Sequence, residues 1–326
     1  MSVSNLYQPL QKALRKHSRL TFADYLEIAL YHPDFGYYAR QDQVVFGEGG
    51  DFVTAPHISP ILAQAFASWL TSQGYTEVLE IGPGDGLLAR QIIDKMPQVD
   101  RYYLLDINQA RSQERLGREA VFQWVSEVPS GYSGAIIANE WLDALPFRRF
   151  YWERTGGLRE VLLHLEDDKP CLTLSGSQHS AALQVVRDFS PLWGESYLFE
   201  QGFQYDKALN FLNHTTGPVL LIDYGYESDV YYHGDRKMGT MMCFQNHQVV
   251  NFSLEKTGAM DVTCAVNWTE VMQQAKIFGY QVDNFGPQSD FLRFFTERHL
   301  LDKHASVLFE PHEMGEYVKV LALSKT

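Results

Sequence analysis

Apolar side chains at Phe22, Tyr25, Leu26, Ala29 and Leu30 recur at helical spacing, and Thr21 with Asp24 has the form of a capping box. The pattern predicts a helix from Thr21 that Pro33 ends. A stretch rich in Gly and aromatics follows, through Gly36-Tyr37-Tyr38 and on to Gly50-Asp51-Phe52-Val53-Thr54-Ala55-Pro56. A second helix is expected with Ser59 as N-cap and Pro60 at its first position, burying Ile61, Leu62, Ala65, Phe66, Trp69 and Leu70. Beyond it short apolar strands alternate with helices: a strand over 78–81, a helix over 87–95, then strands over 102–107 and 135–138. That alternation implies a parallel sheet built from β-α-β units. Residues 158–165 and 171–174 read as a hairpin inserted in that sheet. Helices around 181–189 and 205–212 lead to a strand over 219–222, then an irregular stretch over 224–260. A helix from about Thr269 closed by Gly279, and strands over 280–285 and 318–323, complete the pattern.

The composition supports a large buried core, with 45% hydrophobic residues in 326. A net charge of −13 argues against a general nucleic-acid binder, whose affinity rests on Lys and Arg, and suits a cationic ligand or a basic protein partner. Cys171, Cys243 and Cys264 are widely spaced and form no C-x-x-C pair, so neither a disulfide framework nor a zinc ribbon is implied. No apolar run approaches the length of a membrane span, and no hydrophobic signal core opens the chain. A cytoplasmic location without membrane insertion is the expectation. No repeat or low-complexity linker is visible, which favours one elaborated α/β domain over two independent ones. Residues 1–70 read as an N-terminal helical extension with a covering loop, and 71–326 as the main domain with insertions at about 151–215 and 224–262.

The sharpest chemical signal is Glu80-Ile81-Gly82-Pro83-Gly84-Asp85-Gly86, between a predicted strand and a predicted helix. Glycines suit a tight turn over which a ligand approaches the backbone, while helix N-terminal amides face its negative group. A dinucleotide fingerprint would need Gly where Leu87 stands, which favours an S-adenosylmethionine loop over a nicotinamide site. Asp106 closes the next strand, where a carboxylate can accept from both ribose hydroxyls, although an Asp there also serves as a plain turn former. Asn139 and Glu140 follow the strand Ile136-Ile137-Ala138 and should face the same crevice, either orienting polar groups of donor and acceptor or forming an Asx-turn. No phosphate loop, nucleophile elbow or H-E-x-x-H motif is present, and no metal is expected.

With Tyr31-His32-Pro33-Asp34-Phe35-Gly36-Tyr37-Tyr38, Asn139-Glu140-Trp141-Leu142-Asp143-Ala144-Leu145-Pro146, Asp223-Tyr224-Gly225, Gly239-Thr240-Met241 and Met314-Gly315-Glu316 in the same order, the chain resembles one family over nearly its whole length. That family is the class I S-adenosylmethionine-dependent methyltransferases that include the mitochondrial complex I assembly arginine methyltransferase and its bacterial relatives. The resemblance implies a Rossmann-like, seven-stranded, mostly parallel sheet with its last strand antiparallel, S-adenosyl-L-methionine as cofactor, and a protein acceptor, arginine in the mitochondrial members. Carried over by position, Glu80, Gly82, Gly84, Gly86, Asp106 and Ile107 would bind the cofactor, Asp51, Thr54 and Pro56 would close over it, and Asn139 and Glu140 would be catalytic. The chain departs from the pattern at His57, where the family has Glu, and at Ala265 and Asn267, where it has ionisable residues. Those changes direct attention to the acceptor. A scaffold protein that keeps the cofactor fold, or a nicotinamide-dependent oxidoreductase, are the rival readings.

Overall fold

A computed structural model describes residues 7–40, 45, 47, 50, 54–296 and 304–326. The chain forms two compact units, each assembled from separate segments: Met1–Gln43, Ala144–Gln204 and Tyr226–Asn267 in one, Val44–Asp143, Tyr205–Gly225 and Trp268–Thr326 in the other. This division differs from the blocks 1–70 and 71–326 read along the sequence. The N-terminal helix Phe22–Tyr31 belongs with the inserted segments, whereas the helix Ile61–Gln73 belongs with the main sheet.

The second unit is organised around β1 (Glu77–Ile81), β2 (Arg101–Leu105), β3 (Phe122–Val125), β4 (Ala135–Asn139), β5 (Val219–Tyr226), β6 (Tyr280–Pro287) and β7 (Val318–Lys325). Their order across the sheet is β6-β7-β5-β4-β1-β2-β3, and an eighth strand lies off this path, one more than the seven expected. Strands β5, β4, β1, β2 and β3 run parallel, while β7 runs antiparallel to both β5 and β6. Unbroken apolar runs explain the central positions: Ala135 to Ala138 and Val219 to Ile222 are buried throughout, as befits parallel strands covered on both faces. The helix Ile61–Gln73 buries Ile61, Leu62, Phe66 and Leu70 in the core that also holds Val78, Tyr102, Ile137, Leu220 and Phe291. Its N-cap is Pro60 rather than Ser59, because Ala55–Ile58 forms a short helix of its own that Ser59 terminates.

The chain leaves β1 for β2 and β3 on one side, then returns to place β4 and β5 on the other. Between β1 and β4 the direction of winding reverses, and loops leaving the C-terminal ends of two such strands diverge to open a crevice.

In the first unit, Leu20–Thr21, Arg148–Glu153, Gly157–Glu166, Lys169–Gly176 and Ser196–Gln201 form a five-stranded antiparallel sheet. The hairpin expected as an insertion in the parallel sheet belongs here instead, its turn made by Asp167 and Asp168, both at positive φ. The helix Phe22–Tyr31 begins with both bonds of the expected capping box. The stretch expected to be irregular, 224–260, contributes Met242–Gln245 and Gln248–Val249 to a three-stranded sheet completed by Asp261–Thr263. Among the described residues no helix is long and apolar enough to cross a membrane, and no cluster of His, Cys, Asp and Glu is arranged to hold a metal ion.

Candidate functional site

Where β1 ends, the Gly82 amide donates to the Leu105 carbonyl at 2.9 Å, and the chain then turns through a loop into the helix Leu87–Lys95. Gly82, Gly84 and Gly86 adopt φ of +67°, +56° and +79°, conformations that side-chain-bearing residues rarely take. Space adds a second constraint: a Cβ at Gly86 would lie 2.9 Å from Leu116 Cδ1, and one at Gly82 would lie 3.3 Å from Trp141 Cδ1. Asp85, between the last two glycines, accepts the Leu87 amide on Oδ1 at 3.1 Å.

Two carboxyl groups lie under and beside this loop. Glu80 is buried, and the Tyr102 hydroxyl donates to its Oε2 at 2.7 Å. Burial pushes this carboxyl up to about 8, with the Tyr102 bond opposing and the charges of Asp85 and Asp106 adding to the rise. Asp106, just past β2, accepts the Asn108 amide at 2.8 Å and also bonds the Gly84 amide. Burial raises its carboxyl, against the Asn108 amide, the Arg111 charge and the amides of Gly84 and Ile107. Ile107 beside it is 60% exposed, leaving an apolar surface open at the loop's edge.

At the end of β4, Glu140 takes φ +50°, a strained value for a side-chain-bearing residue. The conformation is imposed from both sides: the Glu140 amide donates to the Ile222 carbonyl at 2.8 Å, and the buried Asp223 carboxylate accepts the amides of Leu142 and Asp143. The Glu140 Oε1 faces the Ala55 amide at 3.4 Å and the Asn139 Nδ2 at 3.3 Å. Burial lifts its carboxyl to about 7, assisted by the charge of Asp143. Asn139 Oδ1 is buried with no hydrogen-bond partner among the described residues.

The covering segment is represented by Thr54 and Pro56, while Asp51 lies outside the described residues. The Pro56 carbonyl accepts from Gln91 Nε2 at 3.1 Å. His57 Nδ1 lies 3.0 Å from Thr54 Oγ1 and its Nε2 3.0 Å from Asp85 Oδ2, which also receives Arg115 Nη2 at 2.7 Å. In the sequence His57 stands out only as a departure, and Asp85 and Arg115 carry no signal of a role, because their pairing rests on tertiary contacts without a fixed spacing. Ala265 and Asn267 belong to the other unit, where both are buried and Asn267 bonds Ser228 and Tyr232.

The donor set of the second unit fits an S-adenosyl cofactor. Three glycines at positive φ shape the loop, Asp106 offers a carboxyl just past β2, Ile107 offers an apolar face, and Asn139 Oδ1 lacks a donor. The raised Glu80 and Glu140 carboxyls would each gain from a positive charge.

A family model described as S-adenosyl-L-methionine-dependent methyltransferase matches residues 61–286. A solved structure of a Burkholderia thailandensis protein bound to S-adenosyl-homocysteine superposes with a TM-score of 0.89 at 26% identity, covering 99% of this chain and 92% of that one. The mitochondrial protein arginine methyltransferase NDUFAF7 of Danio rerio is 26% identical over 90% of this chain and 76% of its own length. The human protein of that name is 25% identical over 98% of this chain and 83% of its own. These curated relatives are mitochondrial, which overturns the cytoplasmic expectation. Unpaired cysteines and the lack of a long apolar run are compatible with any reducing compartment, so they could not single one out.

Proposed function

Because the chain belongs to the S-adenosyl-L-methionine-dependent methyltransferase family, we propose that it methylates a protein side chain, the guanidinium of an arginine, at the crevice between β1 and β4. The observation that carries this reading is Glu140: a half-buried carboxyl lifted to about 7, in a strained backbone conformation, at the end of the strand where the winding reverses. The names of the mitochondrial relatives supply the acceptor.

In this reading Gly82, Gly84 and Gly86 would let the cofactor approach the backbone, Asp106 would take its ribose hydroxyls, Ile107 would offer it an apolar face, and Thr54 and Pro56 would cover it. Glu80 and the Asn139 carbonyl oxygen would be available to its positive charge. When bound, the cofactor would supply an activated methyl group for the guanidinium nitrogen, its sulfur keeping the electron pair of the bond that breaks. Glu140 orients the guanidinium through a charge-assisted bond, aided by the negative field of Asp143. It then accepts the proton that the alkylated nitrogen must lose. A carboxyl lifted toward 7 is a stronger base than an ordinary one and remains ionised for part of the population at neutral pH. Positioning of the two reactants and exclusion of water supply the rest of the acceleration.

The test is Glu140→Gln, which preserves shape and removes the base. The variant should bind cofactor as the parent does and lose about 100-fold or more of its methyl transfer to arginine. Undiminished transfer by the variant would remove Glu140 from this role. Cofactor binding without transfer by the parent would favour the scaffold reading.

A further inference from the structure

His57 joins parts of the second unit that are far apart in sequence. It stands in the short helix Ala55–Ile58, directly after Thr54, and its ring spans from the Thr54 hydroxyl, at 3.0 Å, to the Asp85 carboxylate, at 3.0 Å. Asp85 is anchored in turn by Arg115, whose Nη2 reaches its carboxylate at 2.7 Å and whose Nε reaches its carbonyl at 3.2 Å. The His57 side chain is 12% exposed and that of Asp85 19%, so water competes weakly for these bonds. Asp85 accepts the Leu87 amide as well, which sets the peptide at the start of the helix Leu87–Lys95.

The direction of each bond follows from the groups. Burial raises the Asp85 carboxyl, but the His57 bond and charge, the Leu87 amide and Arg115 together hold it below the usual carboxylate value. An ionised Asp85 only accepts, so His57 Nε2 donates to it. Nδ1 then accepts the Thr54 hydroxyl proton when the ring is neutral and donates to that oxygen when the ring is charged, so the tie holds in either state. A loop with three glycines within five residues has much conformational freedom to lose when a ligand orders it. An external tie that orders it beforehand lowers that cost.

We infer that His57 is a positioning residue: its ring straps the turn that carries Thr54 and Pro56 to Asp85 of the glycine loop and holds the cofactor cradle in its binding arrangement. The inference rests on the cofactor site proposed above and adds a residue with no assigned role. It also gives a physical reason for the departure at this position. A glutamate there would set a second carboxylate against Asp85, whereas the imidazole supplies a donor.

The experiment is calorimetric titration of S-adenosyl-homocysteine into the full chain and into His57→Ala, Asp85→Asn and the double variant, with thermal midpoints of the ligand-free proteins. Each single variant should weaken binding about tenfold, and the double variant should lose far less than the product, because either change already breaks the strap. The KM for the cofactor should rise in His57→Ala while kcat at saturating cofactor stays within about twofold, and His57→Gln, which restores a donor, should regain most of the affinity. If His57→Ala does not fold, Asp85→Asn and Thr54→Val read the strap from either end, each predicted to bind more weakly than the parent. Unchanged affinity in His57→Ala, or losses that multiply fully in the double variant, would overturn the inference while leaving the cofactor site standing. Failure of the parent to bind the ligand at all would overturn both.

Discussion

The two glutamates at the ends of β1 and β4 give opposite signs of pH dependence for stability and for function. Glu80 has a folded value of about 8 against an ordinary 4.5, so its contribution to stability is intact below pH 4.5 and is lost as pH rises toward 8. Ligand-free thermal midpoints should fall across that window, and Glu80→Gln should flatten the decline. Cofactor binding runs the other way. A cation beside the Glu80 carboxylate lowers its proton affinity, so binding releases a proton and affinity should rise by up to about tenfold per pH unit below 8. Calorimetry at pH 6, 7 and 8, in buffers of different ionisation enthalpy, measures both the affinity and the proton count; a pH-independent affinity would remove Glu80 from the cofactor's charge. For Glu140, kcat/KM should rise with pH through an apparent value near 7, as expected of a base that must be ionised. The placement of both residues is legible in the sequence, because each sits at the end of an apolar run. Their perturbed acidity is not, since it arises from desolvation by side chains distant along the chain. Asp106 shows the same limit. Its position predicts a ribose partner, but the structure adds amide bonds from Asn108 and Gly84. Asp106→Ala should therefore weaken cofactor binding by about 1.5 to 3 kcal/mol and also lower the thermal midpoint of the ligand-free protein.

Helices and strands with strong local signals are where sequence and structure agree. Thr21 and Asp24 form both bonds of the capping box, and Thr21→Ala should destabilise the fold by about 1 kcal/mol, readable in denaturant unfolding with the slope unchanged. The strand, glycine loop and helix over 77–95 are equally legible, because the apolar run, the glycines and the amphipathic helix each report a local requirement. The sheet of the first unit was less so. Leu20–Thr21 pairs with Gly157–Glu166, and Arg148–Glu153 with Ser196–Gln201, so membership depends on partners far away along the chain. Met242–Gln245 and Gln248–Val249 are too short to show a period. The shifted N-cap at Pro60 has a similar origin: the short helix Ala55–Ile58 occupies Ser59 as its own terminus, and nothing in the residue pattern separates a four-residue helix from a loop.

The division into two units left no mark in composition, because each is built from three segments joined by short crossings rather than by a polar linker. What composition does convey is charge. With a net charge of −13, the chain should attract a basic acceptor over distances longer than a hydrogen bond, and the KM for a protein substrate should rise by about several-fold from low ionic strength to 0.5 M salt while kcat changes little. A KM indifferent to salt would argue for an acceptor recognised by shape and apolar contact. The proposed reaction itself is tested by incubating the chain, and Glu140→Gln beside it, with S-adenosylmethionine carrying a trideuterated methyl group and a native proteome, then locating the heavy methyl by peptide mass spectrometry. With the parent chain the label is expected on arginine side chains of basic proteins, and with Glu140→Gln it should be lost. Label on lysine, glutamine or another residue, or a parent chain that binds cofactor and transfers nothing, would contradict it.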